Sequence, residues 1–367
     1  MASTKETWTV VDNGKETVFG YAPTYFPGLT APAEARRVPV GLGQQVSGID
    51  LSLIPGRAAK ITGTAFDSQR RPFSRVTLSD DIRGVNFASF RGAGGASVAG
   101  DGTFTIANVP PGEYRLGAAR LPGDTAGDPE VAEMTVVVDG TDLENVNLVG
   151  SVGATVSGRV IPEGASTPKW SAVTVDVRQP LRNQTSPSIL GAFRNSGTAR
   201  VKEDGSFVVE HVFDHARFQV TLPDGWMVKS ITQAGRELGD AELQLRSGED
   251  LRDVEVVISD KVSMVSGQLT DARSQPIHDA TVIVFAADSS RWFEGSRSVK
   301  AARPDQQGQW QVKALPPGEY LAIALEYVED GSWNDPDYLE SLRKLATAIT
   351  LAEGGTETAA LKLATPK

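Results

Sequence analysis

Residues with obvious chemical potential are few in this 367-residue chain. Cysteine is absent and histidine occurs three times. Disulfides, thiolate metal sites and a cysteine nucleophile are therefore excluded. His211 and His215 stand at HxxxH spacing, which on a helix could turn two imidazoles toward one zinc ion. Here the pair spans a strand end and a corner, and no HExxH accompanies it, so surface or turn-stabilising imidazoles are expected. His278 stands alone in a turn. A Ser-His-Asp enzyme lacks its parts: "GVNFASF" and "RGAGGASVAG" hold no GxSxG elbow, and no glycine run has phosphate-loop form. We expect no catalytic residue, no cofactor and no metal, and hence no enzyme.

The acidic residues are more numerous but dispersed. Asp101, Asp204 and Asp305 each offer one carboxylate at a turn, whereas calcium takes six to eight oxygens. Turn stabilisation is the better reading. The stretch "EDGSWNDPD" (329–337) gathers four carboxylates and is a calcium candidate against a solvated loop and helix cap. The richest binding composition lies beside it. "DSSRWFEGSR" (288–297) and "DGSWNDPDY" (330–338) carry Trp292, Phe293, Trp333 and Tyr338, flanked by Arg291, Arg297 and Arg303. Trp beside Arg is a hot-spot composition at protein interfaces, and flat aromatics with polar rims also suit sugar stacking. The competing reading is that these loops fold back and bury their own aromatics.

Such loops need a scaffold, and the sequence repeats one. Three segments open with an alternating strand ending in Ser/Thr-Gly: "AKITGTAF", "ATVSGRVI" and "SMVSGQLT", with glycines at 63, 158 and 267. A turn and a second apolar strand follow. Then comes an acidic-start turn with an aromatic strand: "DGTFTIANVPPGEYRLGA", "DGSFVVEHVFDHARFQVTL" and "DQQGQWQVKALPPGEYLAIAL". Each unit closes on alternating Val or Leu: "LENVNLV", "LRDVEVVI" and "ETAALKL". Intervals of roughly 100 residues, short strands and frequent turn signals predict one all-β sandwich per interval. The string PPGEY reads as a rigid corner. Pro110, Pro111, Pro316 and Pro317 end a sheet ladder, and Gly112 and Gly318 are expected at positive φ. Tyr114 and Tyr320 start the next strand with the ring inward. The middle copy, "VFDHARF", keeps Val212 and Phe218 but has lost both prolines and the glycine. One helix is expected, about 335–346: Asp335 or Asn334 caps it, Pro336 opens it, Leu339 and Leu342 with Leu345 or Ala346 share a face, and Glu340 pairs with Lys344.

These motifs resemble the carboxypeptidase regulatory-like domain. Gly63, Asp101, Gly102, Phe104 and Val109–Tyr114 carry the likeness in the first unit. Gly267, Asp271, Pro276, Ala280, Gly308, Trp310 and Leu315–Tyr320 carry it in the third, and the second matches more weakly. The resemblance implies tandem seven-stranded, transthyretin-like (prealbumin-like, Greek-key) β-sandwiches, in an exported bacterial protein and without a catalytic centre. A related sandwich family joins Lys to Asn in isopeptide bonds, for which Lys60, Asn145 or Asn147, and Glu133 would be the set here.

Residues 1–55 look like the back half of a further unit. "VSGIDLSL" matches the closing strands, and Gly41–Gln44 matches the turn before them. The expected division is thus 1–55 (truncated sandwich), 56–150, 151–260 (divergent) and 261–367 (with the helix). A net charge of −10 without a basic cluster argues against nucleic acid, and no run approaches the ~18 apolar residues of a membrane span. No signal peptide is visible; truncation and export are expected together, placing the protein outside the cell, at its surface or in a periplasm. The functional expectation is a structural or adhesive array that engages protein partners or itself through sheet edges. A carbohydrate-binding module and the accessory region of an exported peptidase are the alternatives.

Overall fold

The computed structural model describes residues 2, 4, 6–30, 34–36, 38, 40, 44–80, 94–120, 129–164, 166–178, 197–213, 215–271 and 275–364. The turn at 41–43, the segment 84–90 and residues 91–93, named above, lie outside them. Among the described residues the protein is all-β with one short α-helix, built as tandem sandwiches. Two compact units divide between Gly153 and Ala154.

In the first unit, β1 (Thr7–Asp12), β2 (Lys15–Ala22) and β3 (Ile54–Arg57) form a small antiparallel sheet. Seven strands follow: β4 (Ala59–Phe66), β5 (Arg75–Asp80), β6 (Gly94–Ser97), β7 (Thr103–Val109), β8 (Gly112–Arg120), β9 (Glu130–Val138) and β10 (Leu143–Val149). They make the sheets β10-β4-β7 and β6-β5-β8-β9. Alternation puts Ile61, Phe104, Ile106 and Leu148 of one sheet against Val76, Leu78, Leu116 and Val136 of the other, in one core.

The second unit holds two sandwiches. The first comprises β11 (Ala154–Glu163), β12 (Thr174–Arg178), β13 (Thr198–Arg200), β14 (Ser206–Val212), β15 (His215–Thr221), β16 (Met227–Gln233), β17 (Arg236–Glu237), β18 (Leu243–Gln244) and β19 (Asp250–Ser259). Its sheets run β14-β11-β19-β16-β17 and β13-β12-β15-β18. The two-residue edge strands β17 and β18 take the described strands beyond the expected seven. The last sandwich comprises β20 (Met264–Gln268), β21 (Thr281–Ala286), β22 (Val299–Ala302), β23 (Gln309–Lys313), β24 (Gly318–Leu325), α1 (Pro336–Leu342), β25 (Thr347–Leu351), β26 (Thr356–Thr358) and β27 (Leu363–Ala364). Sheet β23-β20-β26 faces the sheet containing β22-β21-β24-β25.

One register recurs. The first and closing strands of each sandwich are parallel neighbours: β4 with β10, β11 with β19, β20 with β26. This pairing accounts for the three glycines. Gly63 stands opposite Val146, and a Cβ there would fall on the Val146 carbonyl oxygen. Gly158 meets the Val254 carbonyl and Gly267 the Ala359 carbonyl in the same way. In the first two sandwiches the closing strand bulges just before this point, through Asn145 and Asp253, each at φ 58°. The glycines therefore sit within strands rather than ending them, because the approaching carbonyl, not a turn, requires their bare Cα.

The segment 46–53, expected as a closing strand, belongs to no sheet. Its counterparts each lie against a first strand, and the described residues before it supply none.

Helix α1 is capped by the Asp335 carboxylate, which accepts from the Asp337 N–H. It tightens into a 3-10 turn at Arg343–Leu345. That change of spacing replaces the expected Glu340–Lys344 pair by Arg343 to Glu340 at 2.9 Å, three residues apart, and turns Leu345 outward.

Candidate functional site

The loops after β21 and β24 carry the candidate binding residues, and their position is set by β21 itself. Thr281–Ala286 is buried along its whole length. Its inward residues Val282 and Val284 enter the sandwich core. Its outward residues Ile283 and Phe285 lie in a second core with Ile323, Leu325, Val328, Leu339 and Leu342. Helix α1 and the two loops cover the outer face of the sheet.

Trp292 is part of that second core. It is 4% exposed, meets Phe285 edge-on at 5.4 Å, and donates its Nε1–H to the Ala286 carbonyl at 2.7 Å. The Arg343 guanidinium lies 4.7 Å above its ring. Trp333 and Tyr338 are half-buried against the same cluster, and burial pushes the Tyr338 phenol up. Trp292 is thus spent on internal packing, while Trp333 and Tyr338 pack against it and keep part of their surface exposed.

The remaining loop residues meet the preceding sandwich. Between β17 and β18, Asp240 projects its carboxylate between two arginines of the β21–β22 loop. Oδ2 accepts from Arg291 Nε at 3.2 Å and Nη2 at 3.1 Å. Oδ1 accepts from Arg297 Nε and Nη2, both at 3.3 Å. All three side chains are about one-fifth exposed. Gly239 makes room, since a Cβ there would stand 2.6 Å from Arg297 Nη2. Arg217 of β15 completes the seam: its guanidinium stacks 4.1 Å from the Phe293 ring, and Nη1 donates to the Asp240 carbonyl at 2.8 Å. A second tie is Lys229 of β16, 2.7 Å from both Glu163 and Glu353, whose carboxylates raise its pKa. Arg291, Phe293 and Arg297 thus do engage a protein surface, that of the neighbouring sandwich in the same chain. Arg303 is apart from this seam, exposed and 4.0 Å from Asp330.

Both PPGEY corners sit where an earlier segment docks. Tyr114 Oη donates to the Pro110 carbonyl at 2.9 Å, and Tyr320 Oη to Pro316 at 2.7 Å, closing each corner on itself. Burial pushes the Tyr320 phenol up. In the first unit, Pro110 and Pro111 lie against Gly20 of β2 and Gly56 of β3, where a Cβ would overlap the proline rings. In the second unit, Arg291 crosses the corner, 3.5 Å from where a Gly318 Cβ would stand. Gly318 has φ 151°, but Gly112 is not at positive φ; it is already paired in β8, opposite Val138. The left-handed residue comes earlier, at Asn108 and Ala314, with His211 in the same place in the middle copy, all at φ 58°. In that copy Ala216, fully buried, is the first inward residue of the strand, with Phe218 two further on.

The other expectations place as follows. Asp101 and Asp204 each accept from the N–H and hydroxyl two residues on, and Asp305 accepts from two backbone N–H groups. The side-chain hydroxyls of Thr103 and Ser206, then the backbone bonds, hold the first two carboxyls below their usual range. Asp335 is the helix cap. Among the described residues no three His, Asp or Glu side chains converge as metal ligands. Lys60, Asn145 and Asn147 are all on exposed positions, and Glu133 pairs with Arg115 at 3.5 Å, so no buried isopeptide set forms.

One cluster had no forecast. At an end of the first sandwich, the buried Asp67 carboxylate accepts from the Gln69 and Arg71 N–H groups, from Arg71 Nε at 2.7 Å and from Arg120 Nη1. Burial alone would raise its pKa; these bonds outweigh it and hold the carboxyl at about 2. Buried Glu130 accepts from the Ser68 N–H and hydroxyl beside it. These partners tie the ends of β4, β8 and β9 together, and the cluster pins the β4–β5 turn.

No family model matches this chain, and no curated protein does. Solved structures do. A Streptococcal ancillary pilin is 13% identical over 84% of this chain and 99% of its own, with a TM-score of 0.24. BcpA, the major pilin subunit of Bacillus cereus, is 10% identical over 83% and 98%, at 0.22. The Bacillus anthracis TIE protein is 12% identical over 86% of this chain, at 0.22, and this chain spans about half, 53%, of it. At scores this low the likeness decides nothing about function.

Proposed function

We propose that this chain is a non-enzymatic, exported structural array whose sandwiches, at 56–150, 151–260 and 261–367, bear load and present surfaces to protein partners. The observation that carries the reading is the parallel pairing of first and closing strands in every sandwich. Parallel neighbours point the same way, so the chain enters at one end of the pair and leaves from the other. Tension on the chain then shears the whole ladder at once instead of opening it one bond at a time. A hairpin-terminated domain would unzip. The clamp at Asp240 suits the same task, because it fixes one loaded sandwich against the next within the second unit. Export rests on the resemblance of the repeats alone.

Force spectroscopy on the full chain tests this. Three discrete unfolding events are expected, each releasing on the order of 300 Å of contour for a sandwich of ~90 residues. Smooth extension without steps would overturn the load-bearing reading.

A further inference from the structure

We propose that the last sandwich is the first to yield under tension, at a threshold set by its ionic ties to the preceding sandwich rather than by its own closing ladder. This rests on the tension-bearing reading above; it adds which sandwich gives way and what holds it until then. The three ladders of first and closing strand differ in length. β11 and β19 face each other over eight residue pairs, from Thr155 with Asp250 to Glu163 with Ser259. β4 and β10 do so over five, from Ile61 with Leu143 to Phe66 with Val149. β20 and β26 do so over three, from Met264 with Thr356 to Ser266 with Thr358. Beyond Thr358 come the Ala359 N–H bond to the Ser266 carbonyl and an isolated bridge of Leu269 with Leu361. The chain then crosses to the other sheet, where Leu363 pairs with Ala324 of β24. The other neighbour of each first strand does not compensate. β4, β11 and β20 each face five residues of β7, β14 and β23. Bonds sheared together share the load, so among the described residues the last ladder is the weakest of the three.

What that ladder lacks, the junction supplies. Tension from the middle sandwich reaches β20 through residues 260–263. Two ties bypass β20. The Asp240 carboxylate holds Arg291 and Arg297 of the β21–β22 loop, which belongs to the opposite sheet. Lys229 holds Glu353 at 2.7 Å, in the turn just before β26, and so joins the middle sandwich directly to the closing strand. Load carried by either tie never crosses the β20–β26 ladder. Both ties are ion pairs within reach of solvent, with the Glu353 side chain half exposed, so salt screens them. The backbone ladders carry no net charge to screen. Once the ties open, the shortest ladder takes the whole load. The last sandwich then gives on the order of 300 Å of slack while the longer ladders of the other two stay closed.

The test is force spectroscopy on the full chain with a Gly/Ser insert of ~20 residues after Asp330, an exposed loop position; the insert lengthens the step of the last sandwich by roughly 70 Å and so identifies it. The lengthened step is expected first in the trace. In 1 M salt, and separately in Asp240→Asn, that step should open roughly tenfold faster at a fixed force, with the other two steps unchanged. The salt arm uses an unaltered seam, so it stands even if the variant folds poorly. Three steps with the lengthened one second or third overturn this proposal and leave the tension-bearing reading intact. So does a first step indifferent to both salt and the substitution. Smooth extension without steps overturns both.

Discussion

Replacing Asp240 by Asn removes the charge that two arginines share while leaving a side chain of the same size. Its cost follows from the geometry. Four bonds of 3.1–3.3 Å end on one carboxylate. They are longer than the ~2.7–2.9 Å of the strongest charge-assisted bonds. Breaking a fully buried pair costs about 3–5 kcal/mol, and an exposed pair about 0–1. One-fifth exposure on all three groups puts Asp240→Asn between them, at about 2 kcal/mol. Native-state hydrogen exchange reads this locally. The N–H groups of Trp292 and Ser296, bonded to Ser289 and Phe293 within the loop, should open roughly 30-fold more often. A double-mutant cycle with Arg291→Gln should give a coupling of about 1 kcal/mol that shrinks in 1 M salt. Opening that changes less than threefold, or a coupling indifferent to salt, would show that the clamp holds nothing.

Gly158→Ala should cost the middle sandwich at least ~3 kcal/mol, because the added Cβ meets the Val254 carbonyl and both strands are central; a thermal melt unchanged within a degree would refute the register. For Asp67, the folded pKa of about 2 lies below its ordinary 3.8, so its contribution of about 2 kcal/mol is complete above pH 4 and disappears as pH falls toward 2. Asp67→Asn should abolish that part of the acid dependence in urea titrations and lower stability at pH 7. Tyr320→Phe keeps the ring and loses the 2.7 Å bond to the Pro316 carbonyl, so it should cost about 1–1.5 kcal/mol by chemical denaturation, with no change in the circular dichroism.

Much of the scaffold was readable because its signals are local. The alternation of Phe104 with Ile106 and of Phe207 with Val209, the Asp turns, and Asp335 with Pro336 all act within a few residues, and each forms as its chemistry dictates. The repeated glycines were visible too, but their reason was not, since the carbonyl that requires Gly63 belongs to a strand some 80 residues away. The loop residues were legible as interface-forming types but not as to what they face. Asp240 carries no signal of its own; only the fold brings it between Arg291 and Arg297. A clue to the covered sheet was present in Thr281–Ala286: "TVIVFA" does not alternate, and an unbroken apolar strand needs both faces buried. That run foretold a cover, and Trp292 is part of it. The Asp67 cluster joins residues from three separate strand ends, and no spacing rule reaches it.

The pairing of first with last strand also sets when each sandwich can form during synthesis. The Thr64 hydroxyl of β4 finds Asn147 of β10, 83 residues later. Until those residues leave the ribosome, β4 has its β7 neighbour but an open second edge. From the end of β7 at Val109 to Asn147 is about 40 residues, so at about 5–20 residues per second this lasts on the order of 2–8 s. The sandwiches must therefore close in chain order, each first strand covered only when its closing strand is made. A nascent chain halted one strand early would carry a glycine-marked edge ready for any closing strand nearby.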